Sequence, residues 1–145
     1  MDYGILLSMD SVYLTPPAGR RFEALRLFQT PFCGVLFGHK RAHTFIVEDC
    51  LTTGEDILSD PSVYYSLCRI YQNGIIGFFS TQKNDTFVQS LLCPPAFGKI
   101  VLSFGQCGPK KEAFIFHTVG FDGDFFLEPL LFDRAGDKND EPPAG

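Results

Sequence analysis

The sequence predicts a mixed α/β domain, a curved mixed β-sheet flanked by two or three helices, on three observations. Apolar runs of strand length recur, as in CGVLFG, IIGFFS, KIVLSF and EAFIFHTVG, each bounded by glycine or a polar cluster. Two stretches, AGRRFEALRLFQ and VYYSLCRIYQN, change to helical spacing. The two signals alternate irregularly rather than as a repeated strand–helix–strand series, which argues against a doubly wound fold. A chain of 145 residues that is 45% hydrophobic and 14% aromatic is the size of one domain with a substantial core. Residues 1–133 are read as that domain and 134–145 as a flexible acidic tail, because RAGDKNDEPPAG has no large apolar side chain to offset its ordering entropy.

GILLSMDSVYL reads as one weak strand or two short ones, stopped by Pro16-Pro17. The first helix follows over about 18–29, with Phe22, Leu25 and Phe28 on its apolar face. FCGVLFG and TFIVEDCLT form a hairpin whose turn is the basic segment His39-Lys40-Arg41-Ala42-His43. After the loop TTGEDILSDPS, Asp60 and Pro61 open a second helix over about 61–73, with Val63, Leu67 and Ile70 near one face and Asn73-Gly74 at its end. IIGFFS is apolar on both faces and therefore central. A short helix in TFVQSLL precedes Cys93-Pro94-Pro95. KIVLSFGQ, EAFIFHTVG and FFLEPLLFD supply three more strands, the last interrupted at Pro129 as an edge, a bend or two pieces.

Twelve basic against seventeen acidic residues give a net charge of -5, and no basic block is long enough for a nucleic-acid groove. No 18-residue apolar run suits a membrane span, and MDYGILLSMD begins acidic, unlike a signal peptide. Five cysteines, at 33, 50, 68, 93 and 107, include no CxxC pair and sit among apolar neighbours. They read as buried reduced thiols in a cytoplasmic protein. Sixteen phenylalanines with no tryptophan make a phenyl-rich core.

Three segments in order, LRLFQTPFCGVLFG with TFIVED, the helix leading into IIGFFSTQ, and FVQSLLC before KIVLSF, resemble the JAB1/MPN/Mov34 domain. The resemblance runs from about Arg20 to Asp133. It implies an MPN-like curved sheet, in a family of zinc-dependent isopeptidases and their catalytically silent partners. In active members a strand like GWYHSHP carries two zinc-binding histidines, followed by a serine and an aspartate, with a glutamate before the CG pair. Here Ser80 and Gln82 stand at the histidine positions, Ser90 meets the serine, Cys93 falls at the aspartate, and Pro31 (or Gln29 in a shifted register) falls at the glutamate. Serine and glutamine are poor zinc donors and proline accepts no proton, so the resemblance implies a degenerate site with no metal, cofactor or catalytic residue.

Other groups carry less. His39 and His43, with Cys50 on the returning strand, lack the ligand set of a metal site, and the loop His39, Lys40, Arg41, His43 reads as a solvated surface open to a partner. His117 reads as a strand residue, and Asp122 and Asp124 as a glycine turn rather than a calcium loop. Cys33 and Cys93 approach one another if the family arrangement holds, as reduced packing thiols. The expectation is a non-catalytic protein-interaction or scaffold domain, a complex subunit whose partner is another protein, an MPN-like subunit being one candidate. The alternative is a divergent hydrolase with a site rebuilt from Cys33, Gln82, Ser90 and Cys93 or from His39 and His43.

Overall fold

The computed structural model describes residues 10–28, 32–53, 61–71, 74–81, 89–104 and 114–134. The expectations for Gln29, Pro31, Asp60, Asn73, Gln82, the first three residues of TFVQSLL and the tail beyond Arg134 lie outside these residues. In chain order the elements are β1 (Ser11–Leu14), α1 (Pro16–Arg26), β2 (Cys33–Arg41), β3 (Thr44–Thr53), α2 (Pro61–Tyr71), β4 (Ile75–Ser80), a 3₁₀ turn (Pro94–Ala96), β5 (Ile100–Phe104), β6 (Phe114–Phe121), β7 (Phe125–Pro129) and β8 (Leu131–Arg134).

The strand ahead of Pro16-Pro17 stops at Leu14, and the prolines, rather than residue 18, begin the helix. Thr15 is the N-cap, its hydroxyl accepting from the Ala18 N–H at 3.3 Å, and the prolines fill the first positions, where a missing N–H costs nothing. The helix ends at Arg26 with Leu27 as its C-cap, so Phe28 lies beyond it, 59% exposed and edge-on to Phe32. The hairpin also differs from expectation. His39, Lys40 and Arg41 belong to β2, and the turn contracts to Ala42 and His43. Ala42 takes φ 52°, the left-handed conformation that such a two-residue turn requires.

The described strands form one mixed sheet in the order β7-β6-β5-β4-β2-β3-β1-β8. β1 runs parallel to β3 and β8, and β4 to β5, while the other neighbours are antiparallel. β4 is central, as its two apolar faces required, and all six of its residues are buried. Gly77 permits this crowding, because a Cβ there would collide with the Ile100 carbonyl of β5. FFLEPLLFD resolves into two strands. A single residue, Leu130, links β7 at one end of the sheet order to β8 at the other, so the sheet must curl until its ends approach. The Leu130 N–H donating to the Phe116 carbonyl at 3.0 Å, and the Phe132 ring tilted against Phe116 with centroids 5.0 Å apart, fix that approach.

Side-chain alternation divides the interior in two. Phe22 of α1 packs with Leu36, Phe79, Leu102, Phe114 and Phe116 inside the curl. On the opposite face Tyr64 of α2 packs with Cys33, Val35, Phe78, Leu91, Val101 and Val119. The second helix is therefore turned from the expected face: Tyr64, Leu67 and Cys68 look inward, while Val63 and Ile70 are 46% and 66% exposed. Both stripes have helical spacing and share Leu67; the one carrying the large Tyr64 ring fills the sheet groove.

Candidate functional site

Of the candidate positions named from the sequence, Ser80 is the last residue of β4. In register across the sheet it lies between Cys33 of β2 and Ser103 of β5, with Thr53 beyond Cys33 and Ile115 beyond Ser103. Cys33 belongs to the cluster under α2, and Ser80 and Ser103 alternate in phase with Phe78 and Val101 of that cluster, so the three small polar side chains share the α2 face. Ser80 is buried, and the Cys33 thiol donates to the Thr53 carbonyl at 3.8 Å. Next to this row Thr81 holds two strands together. Its N–H donates to the Phe32 carbonyl and its hydroxyl accepts from the Phe32 N–H, both at 2.8 Å.

Ser90 and Cys93 approach the same face from the connection ahead of β5. The Cys93 thiol donates to the Ser90 carbonyl at 3.3 Å and packs, like Cys33 and Cys68, against the α2-side cluster. Burial, reinforced by a hydrogen bond with Cys68 and the proximity of Tyr65 and Cys93, pushes the Tyr64 hydroxyl far up, so it is neutral across the physiological range. The site thus gathers hydroxyls and thiols; Gln82, Pro31 and Gln29 lie outside the described residues. Ser80 offers a neutral, weak oxygen to a metal ion, and among the described residues no group of three or more His, Cys, Asp or Glu is placed to hold one. The four described cysteines are free thiols, and burial followed by the Asp49 charge raises Cys50 to about 11 against the opposing pull of Arg21. No described helix is long and apolar enough to cross a membrane.

His117 sits in β6 between Val101 and Pro129, two residues from the polar row. Its Nδ1 is buried without a hydrogen-bond partner, and desolvation lowers its pKa. The basic hairpin tip is already partnered: Lys40 and His43 each meet Asp10 at 3.1 Å, His39 meets Glu48 at 3.2 Å, and the Lys40 ammonium lies 4.8 Å from the centre of the Phe45 ring. Sequence inspection missed Asp10 because it is more than thirty positions from His43. It also missed a shallow apolar cleft of about 340 Å³ lined by Pro94, Phe97, Phe121 and Phe125. The available signal was the symmetric FDGDF turn, in which Gly123 takes φ 83° and the Asp122 N–H donates to the Asp124 carbonyl at 3.0 Å.

No family model and no curated protein matches the chain. The fold does have a solved counterpart. It is similar to the solution structure of protein DSY2949 from Desulfitobacterium hafniense, a Northeast Structural Genomics Consortium target, with a TM-score of 0.53 and 14% identity over 91% of this chain and 99% of that one. At that identity the likeness shows the fold alone.

Proposed function

We propose that this chain is a non-catalytic MPN-like domain that works in the cytoplasm as a protein-interaction subunit of a larger complex. The observation that carries the reading is the doubly apolar helix α2. With Tyr64 buried and Leu67 and Cys68 partly buried, Val63 and Ile70 remain exposed on one flank of the helix and Tyr65 on the other. Val63 and Ile70, seven positions apart and therefore on one flank, leave an exposed apolar stripe on a surface helix, which suits cover by another protein. The succession strand, helix, hairpin, helix, strand supports the MPN-like part of the reading, as does Ser80 at the end of a central strand beside Cys33. Another protein, such as a second MPN-like subunit, is the partner that suits such a stripe, and neither nucleic acid nor membrane is invoked.

The test pairs the full chain with its Val63→Glu/Ile70→Glu variant. Both sites are exposed, so folding stability should change by less than about 1 kcal/mol. Affinity recovery from native extract followed by light scattering should give a stoichiometric complex for the parent chain and a free monomer for the variant. A parent chain that runs as a monomer, or a variant that keeps the same partner, refutes the proposal.

A further inference from the structure

β7 closes one end of the sheet order, and its outer edge is paired with no other described strand. The direction of its backbone groups follows from β6. Val119 donates its N–H to the Lys99 carbonyl and accepts from the Gly98 N–H, both at 2.9 Å, so its polar groups point away from β7. Its cross-strand partner Leu127 is therefore in a non-hydrogen-bonded pair, and Phe125 shares that phase. Phe125 and Leu127 present their N–H and C=O groups at the open edge, whereas Pro129, next in phase, has no N–H to offer. That proline limits pairing to a short segment.

Beside this edge lies the apolar cleft of Pro94, Phe97, Phe121 and Phe125. Phe121 and Phe125 pack as tilted rings with centroids 4.8 Å apart, with exposed Asp122 and Asp124 in the turn between them. Lys99, two residues past Phe97, is the opposing charge on these segments. A strand added beside β7 would place the side chain opposite Phe125 about 5 Å from it, on the cleft side.

We infer that the β7 edge takes up a short extended segment of a partner protein, one apolar side chain seated in the cleft and basic side chains flanking it on the same face. Main-chain pairing with Phe125 and Leu127 supplies the register, the phenyl-lined cleft selects the apolar anchor, and Asp122 and Asp124 select the flanking charge. The inference shares the reading of the chain as an interaction domain but uses a surface distinct from α2, so its failure leaves the α2 test standing.

The probe is the peptide acetyl-Gly-Lys-Val-Phe-Val-Lys-Gly-amide, whose Lys, Phe and Lys share one strand face. Titration by calorimetry should show salt-sensitive binding, and amide exchange at Phe125 and Leu127 should slow in the complex. Asp122→Asn with Asp124→Asn, exposed changes that leave the fold intact, should weaken binding by about fivefold. Replacing the peptide lysines by glutamate, or N-methylating alternate backbone amides, should abolish it. The inference is overturned by a peptide that does not bind, by binding that leaves the two amides unprotected, or by indifference to the aspartate changes. It is also overturned if those amides are protected in the free chain, because the edge is then occupied by the chain itself or by a second copy.

Discussion

Replacing Phe22 by alanine should remove most of the attachment of α1 to the sheet. Phe22 is fully buried, with ring edges meeting Phe79, Phe104 and Phe114 at 5.8, 6.0 and 6.0 Å. Its helix contributes Ala18 as a further core residue and packs Leu25 at the margin. Truncating a buried phenyl side chain costs about 3–5 kcal/mol, as lost transfer energy plus the cavity left behind. Three edge-to-face partners place this site near the upper half, about 4 kcal/mol. A domain whose total stability is about 5–15 kcal/mol then loses a large share of it. The chain has no tryptophan, so the assay is urea unfolding followed by far-ultraviolet circular dichroism. Phe28→Ala is the internal control: its ring is 59% exposed and touches Phe32, and its loss should cost about 1 kcal/mol or less. A Phe22→Ala variant within about 1.5 kcal/mol of the parent, or equal losses at both sites, would refute the placement of α1 inside the curl.

Gly77→Ala should destabilise by at least about 2 kcal/mol, since the new Cβ meets the backbone carbonyl of Ile100, which cannot move without disrupting the β4–β5 pairing; chemical denaturation reads it. Cys50, raised to about 11, should react with iodoacetamide at pH 8 about tenfold more slowly than a free thiol, because a hundredfold smaller thiolate fraction is partly offset by higher nucleophilicity. Peptide-resolved alkylation rates check this. His117 has a pKa below its ordinary 6.5 through desolvation, so the unfolded chain binds more protons than the native one between the two values. Its contribution to stability is complete above the ordinary value and is lost as pH falls towards the native one; His117→Leu should lack that slope, so the parent-minus-variant stability difference should fall as pH falls through the same window.

Much of the sheet was legible because its signals are local. IIGFFS has no polar residue until its end, which only a strand covered on both faces tolerates, and it proved central with every residue buried. The break at Pro129 became the joint between β7 and β8 because proline cannot donate to a ladder. The first helix start was misplaced because a double proline is ambiguous: after a strand it reads as a stop, but behind a capping Thr15 it is a helix start, and Thr15 was the clue. In α2 two apolar stripes overlap at Leu67, and only the shape of the sheet groove selects Tyr64 over Val63 and Ile70. The same non-local matching hid the pairing of Asp10 with Lys40 and His43, and the cleft assembled from Pro94, Phe97, Phe121 and Phe125. At the candidate site the local text located Ser80, while its alignment with Cys33 and Ser103 depends on strand order across the whole sheet.

The most direct test of the interaction proposal is a covalent footprint of α2 in the species recovered from native cells, compared with the isolated chain. Hydroxyl-radical labelling of Val63 and Ile70 reads the exposed apolar flank residue by residue. The proposal predicts labelling suppressed by about tenfold in the native species, with Tyr64 and Leu67 low in both, because an interface core excludes water. Equal labelling of the stripe in a native species of monomer mass would contradict it.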